Sequence, residues 1–265
     1  MSVLTAIPGT RSQWDIARRD PVMRDAILST HAPRISWGTF VTHVFNWRAG
    51  EHVGLIGPTG EGKTTMLQNI LPLHPFVVLC ATKPRDKVMR NLVLNEGYLQ
   101  LDRWRSLNPL QYPRRILWPD ANRLDSHALQ RAVFHDAFSR IYREGHWTVA
   151  LDETWYMDQI LKLAGDIKTL LLQARSLGIC LVCATQRPAW VPREIYTQCT
   201  HLMFWRTNDE DDLKSLSGIG WRSAMIIREA VANLERFQCL YVNTRTGYMC
   251  RTRCPEIEMS SLLAA

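Results

Sequence analysis

Gly57-Pro58-Thr59-Gly60-Glu61-Gly62-Lys63-Thr64 satisfies G-x-x-x-x-G-K-[ST] at every fixed position. The octet follows an apolar run at 53–56 and opens a helical pattern, 64–71, that Pro72 closes. A strand, a glycine-rich turn and a helix in that order make a phosphate cradle. The glycines let backbone N–H groups turn inward, and the helix N-terminus adds a positive field. Gly57, Pro58, Thr59, Gly60, Glu61, Gly62, Lys63, Thr64 and Thr65 are thus expected around the phosphates of a nucleotide. Lys63 would reach the β- and γ-phosphates and the Thr64 hydroxyl would ligate Mg²⁺, so ATP and Mg²⁺ are the expected cofactors. Glu61 departs from the small residue common in such loops. Its carboxylate is unfavourable beside a triphosphate and is expected to face solvent or a neighbouring subunit.

Outward from this loop, strand and helix patterns alternate. Residues 76–81 read as a buried strand, and 116–118 as a further strand in the less regular stretch 88–125. Ser126 is placed to cap a helix running to Arg143, with Phe134, Phe138 and Ile141 on one face and Gly145 as the stop. Residues 147–151 form the next strand, and apolar positions from Ile160 to Leu177 recur at helical spacing up to Gly178. Strands follow at 179–184 and 201–205, then a helix near 223–234. Strand 237–242, a turn at 243–247 and strand 248–253 complete a hairpin. This alternation predicts an α/β fold with a mostly parallel central sheet, helices on both faces and a C-terminal β-hairpin. Residues 1–50 read as an irregular or partly helical lead-in available for subunit contact, and 51–265 as the ATPase domain.

The strand at 147–151 delivers Asp152 and Glu153 at its C-terminal end, where open parallel sheets place their ligands. Asp152 would hold the Mg²⁺ shell, and Glu153 would orient and deprotonate the attacking water. A GTPase would want glycine three residues after that aspartate, where Trp155 stands, and Thr82-Lys83-Pro84-Arg85 is a poor guanine reader. A transporter-type signature would precede the acidic strand; Leu216-Ser217-Gly218-Ile219-Gly220 comes too late. Glu153 is suited to activating water, which disfavours a small-molecule phosphotransferase.

Two further stretches are specific. Gln173-Ala174-Arg175-Ser176-Leu177-Gly178-Ile179 leads to Ala184-Thr185-Gln186-Arg187-Pro188, and Phe204-Trp205-Arg206-Thr207-Asn208-Asp209 ends the next strand. From about residue 50 to 216 the chain resembles the FtsK–HerA branch of DNA-pumping P-loop ATPases. That resemblance implies a RecA-like core in which Gln186 senses the γ-phosphate; an amide at a strand end can bond a phosphate oxygen and the lytic water. Alternatively, Gln186 caps its own loop. It also implies a ring, expected to be hexameric, with ATP between subunits and an arginine supplied in trans. Arg206 and then Arg175 are the candidates, each equally suited to an intramolecular ion pair.

The chain of 265 residues is 46% hydrophobic and 22% charged, which supports a folded core and excludes a disordered chain. No apolar run reaches a bilayer-spanning length, and no apolar block follows Arg11, Arg18 and Arg19, so a cytoplasmic protein without a membrane span is expected. Seven cysteines without a framework point the same way. Cys180 and Cys183 would face opposite sides of a strand and cannot share a metal, and Cys250 and Cys254 lack a second ligand pair. The net charge of +7 favours a polyanionic partner. Arginine carries it beside aromatics, at Arg103–Trp104–Arg105, Arg114–Arg115, Trp205–Arg206 and Trp221–Arg222, either for phosphate contact or as solvated surface.

The expected function is an ATP-driven, ring-forming translocase of double-stranded DNA. Lys83, Arg85, Lys87 and the basic residues of 187–193 are the candidate backbone grips. A portal, nuclease, relaxase or capsid shell would supply its context. The alternative is a nucleotide-gated assembly or morphogenesis ATPase that does not move DNA.

Overall fold

The alternating apolar runs pair into one sheet. The structure, a computed structural model, describes residues 20–120, 126–187, 189, 192–216 and 224–256. Its strands are β1 (His52–Ile56), β2 (Val77–Cys80), β3 (Leu99–Leu101), β4 (Arg114–Leu117), β5 (Thr148–Leu151), β6 (Cys180–Thr185), β7 (Cys199–Trp205), β8 (Cys239–Asn243) and β9 (Met249–Thr252). They lie in the order β3-β4-β2-β5-β6-β1-β7-β8-β9. Every pairing from β3 across to β7 is parallel, while β7–β8 and β8–β9 are antiparallel. The expected hairpin is therefore β8–β9, appended to an otherwise parallel sheet.

Strands β1, β2, β5 and β6 are buried along their whole length, as continuous apolar runs require when both faces are covered. Along β6, Leu181 and Cys183 join one core, while Cys180, Val182 and Ala184 join the other. The two cysteines therefore lie on opposite faces. Helices α4 (His127–Glu144), α5 (Ala164–Gln173) and α8 (Ala224–Ala232) contribute to the first core through Phe134, Ile167 and Ile227. Helices α2 (Lys63–Ile70) and α3 (Lys87–Asn95) contribute Leu67 and Leu92 to the second. Each such fully buried apolar side chain is worth about 1.5–3 kcal/mol, so the two cores hold the sheet between its helical layers.

Several elements depart from expectation. The helix expected over 160–177 is broken: Tyr156–Ile160 is a π-helical turn, Lys162 adopts φ 57°, and α5 begins only at Ala164. Leu161 and Leu163 are both buried on either side of Lys162, so the apolar spacing reflects two anchors flanking a kink. Ser126 precedes α4 but does not cap it. Its backbone is helical (φ −72°, ψ −3°), and its hydroxyl instead faces the Gln130 amide at 3.5 Å. Helix α3 occupies the start of the stretch that reads as less regular; the Asp86 carboxylate caps it, accepting from the backbone N–H groups of Val88 and Met89 at 2.8 and 3.1 Å. Of the lead-in, residues 20–50 are built onto the sheet. Helix α1 (Pro21–His31) buries Leu28, Phe40 packs edge-on to Tyr241 at 5.0 Å, and Arg251 N–H donates to Pro33 O along the β9 edge. Residues 1–19, with Arg11, Arg18 and Arg19, lie outside the described residues, as do Pro188, 217–220 and Trp221–Arg222.

Among the arginines that the sequence sets beside aromatics or each other, one is internal. Arg115 is fully buried, its guanidinium 4.8 Å from the Trp104 ring centroid and 4.5 Å from that of Trp147. It donates to the carbonyls of Tyr112, Arg105 and Leu107, while both indole N–H groups donate to Glu144. This assembly fastens the irregular segment before β4 to β5. Arg103 and Arg105 pair with Asp102 at the surface.

His52 gives the fold an acid-sensitive bond. Its Nδ1 accepts from the Leu181 N–H at 3.0 Å, so Nε2 carries the proton and donates to Leu171 O at 3.2 Å. Burial lowers its pKa to about 4, against a partial opposing effect of the Leu171 bond. Because the unfolded histidine titrates near ~6.5, the stabilisation is complete above that pH and is lost as pH falls towards the folded value. Urea unfolding is expected to lose on the order of 3 kcal/mol through this group between pH 7 and 4, and His52→Gln should flatten the dependence. Superimposable pH profiles for the two proteins would refute this.

Candidate active site

The phosphate loop begins where β1 ends, and it is locked to β6 by the Gly57 N–H donating to Thr185 O at 3.1 Å. Gly57 must be glycine for a packing reason: a Cβ there would lie 2.6 Å from Trp205 Cβ. Gly62 must be glycine for a backbone reason, with φ 104° immediately before α2. Lys63 opens α2 and folds back, its Nζ donating to Gly57 O at 2.5 Å and Pro58 O at 2.8 Å. Burial lowers its pKa to about 8, with Glu153 and Asp152 pulling the other way, so it remains largely protonated at neutral pH.

Strand order brings the rest together. β6 lies between β1 and β5, so the C-terminal tips of these three strands stand side by side. Asp152 and Glu153 emerge from β5, and Gln186 from β6. Both acids are at least nine-tenths buried. Gln186 Nε2 donates to Glu153 Oε2 at 2.7 Å, which orients the carboxylate. Burial raises the Glu153 pKa, and Asp152 adds to it, against the opposing effects of the Gln186 bond, Lys83 and Lys63. A carboxylate shifted this way is the better proton acceptor. One cavity is lined by Thr59, Gly60, Gly62, Lys63, Thr64 and Thr65 together with Asp152, Glu153 and Gln186.

Lys83, at the tip of β2, also lines this cavity and pairs with Asp152 Oδ2 at 3.1 Å. Burial pulls its pKa down, but the Asp152 charge and hydrogen bond outweigh that and raise it overall. It belongs to the site rather than to an outward grip. Arg187 is likewise engaged, 2.7 Å from Asp209 and 3.4 Å from Asp212, where it ties the loop after β6 to α7 (Glu210–Leu216). Glu61 does not simply face solvent. It is half-buried, and its Oε2 is buried without a partner among the described residues.

The two arginine candidates separate. Arg206 follows Trp205 at the tip of β7, next to the strand that carries the phosphate loop; it is exposed and makes no hydrogen bond or ion pair among the described residues. Arg175 lies before β6, its carbonyl beside Gly50 at the start of β1. It therefore sits at the opposite end of the sheet, about 17 Å of strand away, and cannot reach the cavity of its own chain.

Solved structures share the fold that carries this cavity. The structure aligns with the DNA-packaging ATPase B204 from Sulfolobus Turreted Icosahedral Virus at TM-score 0.58 and 17% identity, covering 80% of this chain and all of that one. The chain has a P-loop ATPase fold. The B204 genome-packaging NTPase of Sulfolobus turreted icosahedral virus 2, solved with AMPPCP, aligns at TM-score 0.56 and 16% identity, over 78% of this chain and 98% of that one. EccC from Thermomonospora curvata aligns at 0.52 and 16%, over 81% of this chain and 40% of that one. In sequence, the phosphate import ATP-binding protein PstB of Prochlorococcus marinus is 32% identical over 96 residues, 35% of this chain. The chain spans about a third of the length of that curated relative (32%). No protein-family model matches the chain. Among the described residues no helix is long and apolar enough to cross a membrane, and no group of three or more His, Cys, Asp or Glu side chains could hold a metal.

Lys83 and Phe237 line this P-loop site, although the sequence reads the one as a DNA grip and the other as the start of a strand. Lys83 was legible in principle, since a cation directly after a parallel strand lies at the ligand end of the sheet. Phe237 was not: nothing local indicates that the turn before β8 returns to the phosphate loop.

Proposed function

We propose that the chain is an ATPase of the FtsK–HerA kind, acting as a ring, expected to be hexameric, that moves double-stranded DNA. One observation carries the reading: Lys63, Thr64, Asp152, Glu153 and Gln186 line a single cavity at the tips of three adjacent parallel strands. The fold shared with viral genome-packaging ATPases supports the motor assignment. Thr64 and Asp152 present hard oxygen donors to that cavity, a set that fits Mg²⁺, which when bound neutralises phosphate charge. Lys63 and the glycine cradle hold the phosphates. Glu153 takes the proton of the attacking water while Gln186 fixes the carboxylate and reads the γ-phosphate side. Lys83 adds positive charge at the same end. Arg206 reaches the site of the neighbouring protomer, and Arg175 is a weaker choice on its position. Arg85 and Lys87, both exposed, are the remaining grips after β2. A portal, nuclease, relaxase or capsid shell would couple the motor to its task.

The test is steady-state ATPase activity with and without duplex DNA across a salt series. Stimulation by DNA that declines steeply with salt is expected, because backbone binding releases counterions. An ATP-dependent oligomer whose turnover ignores every DNA offered would overturn translocation and favour an assembly ATPase.

A further inference from the structure

The cavity has an end that the hydrolytic residues do not use. Asp152, Glu153, Gln186 and Lys83 come from β5, β6 and β2, all on one side of β1. Phe237 also lines the cavity but comes from the turn before β8, on the other side of β1. A nucleoside triphosphate with its γ-phosphate at Glu153 and its β-phosphate on the loop must run away from β5. Its base then falls on the β7–β8 side.

The turn that presents Phe237 is braced. The Gln238 N–H donates to Glu235 O at 3.1 Å, and the Glu235 N–H donates back to Gln238 Oε1 at 3.3 Å. Glu235 is itself tied by Arg34 at 3.0 Å and Arg253 at 3.2 Å. Within it Phe237 has φ 63°, a left-handed conformation that a bulky aromatic residue adopts at a cost in strain. The ring is thereby brought against the loop: a Cβ on Gly62 would lie 3.6 Å from Phe237 Cδ1. The Arg236 guanidinium lies over the same ring, 4.7 Å from its centroid. A half-exposed aromatic ring, held in a strained turn, backed by a cation and lining a phosphate cavity, is the arrangement expected of a stacking platform.

We propose that Phe237, backed by Arg236, stacks the nucleobase and makes the site selective for purine over pyrimidine nucleoside triphosphates. This rests on the phosphate-loop reading of the same cavity. Stacking takes any base with a large enough π-face, so ATP and GTP should bind alike and more tightly than CTP and UTP.

The experiment titrates Mg²⁺ complexes of ATP, GTP, CTP, UTP and inorganic tripolyphosphate into the purified chain and into Phe237→Ala, Phe237→Leu and Phe237→Trp. Wild type should prefer purines. Phe237→Ala should weaken ATP and GTP by about tenfold and leave tripolyphosphate unchanged. Phe237→Leu keeps apolar bulk against Gly62 and should lose purine preference alone, while Phe237→Trp should retain it. Equal losses for ATP and tripolyphosphate in both the Ala and Leu variants would assign the ring to loop support and overturn the proposal. Unchanged ATP affinity in Phe237→Ala with tripolyphosphate still bound would overturn it too, and would leave the phosphate site standing. Failure of wild type to bind either ligand would remove the phosphate-loop reading and the platform with it.

Discussion

Glu153→Gln should reduce ATP turnover by about two to four orders of magnitude while Mg²⁺–ATP still binds with near-wild-type affinity. The substitution keeps shape and volume in a position nine-tenths buried. It removes only the ability to accept a proton from water. Gln186 approaches the same side chain at 2.7 Å, and an amide oxygen at that place would still receive its hydrogen bond. Removing the negative charge also spares the site a buried carboxylate near incoming phosphates, so affinity should hold or rise. Lys63→Ala is the contrasting control: it takes away the cation 2.5–2.8 Å from the loop carbonyls and should abolish nucleotide binding itself. Parallel measurement of kcat and of nucleotide Kd distinguishes the two. Turnover within twofold of wild type in Glu153→Gln would exclude this residue as the base.

Arg206→Ala should reduce turnover by about three orders of magnitude or more if the arginine completes a neighbour's site. The physical argument is its isolation. Arg187, at the adjacent strand tip, is neutralised by Asp209 and Asp212, whereas Arg206 is exposed beside the phosphate loop with no carboxylate partner among the described residues. A guanidinium in that position has charge to offer across an interface. Arg206→Lys should rescue little, because one ammonium cannot reproduce a bidentate fork. Mixing decides whether the action is in trans. Arg206→Ala protomers have an intact phosphate loop, and Lys63→Ala protomers have an intact arginine, so some interfaces in a mixed ring regain both. Recovery of activity on mixing two inactive proteins is the expected result. Full activity of Arg206→Ala alone would eliminate the residue as a finger, and an inactive variant that mixing never rescues would place its role within one protomer.

The form of the phosphate loop was legible because it is local. Eight consecutive residues, Gly57 to Thr64, supply the turn, the helix start and the cation, and no distant segment is needed to recognise them. The acids at 152 and 153 were legible for a related reason: a continuous apolar run defines a buried parallel strand, and ligands gather at its C-terminal end. Arg115, Arg187 and Phe237 were not, and Lys83 was legible only by its place after a strand, although all four residue types are plain in the sequence. Read locally, each basic residue among them was a surface charge. Strand order made Lys83 a partner of Asp152, two indoles made Arg115 a buried fastener, and α7 made Arg187 a clamp. Phe237 meets Gly62 across 175 positions of chain only because β8 is laid beside β7, and β7 beside β1. Sequence thus determined which groups could do chemistry and which runs would be strands. Long-range pairing alone decided which charges are neutralised and which remain available, because a charge's effect depends on burial and on neighbours that local sequence does not contain.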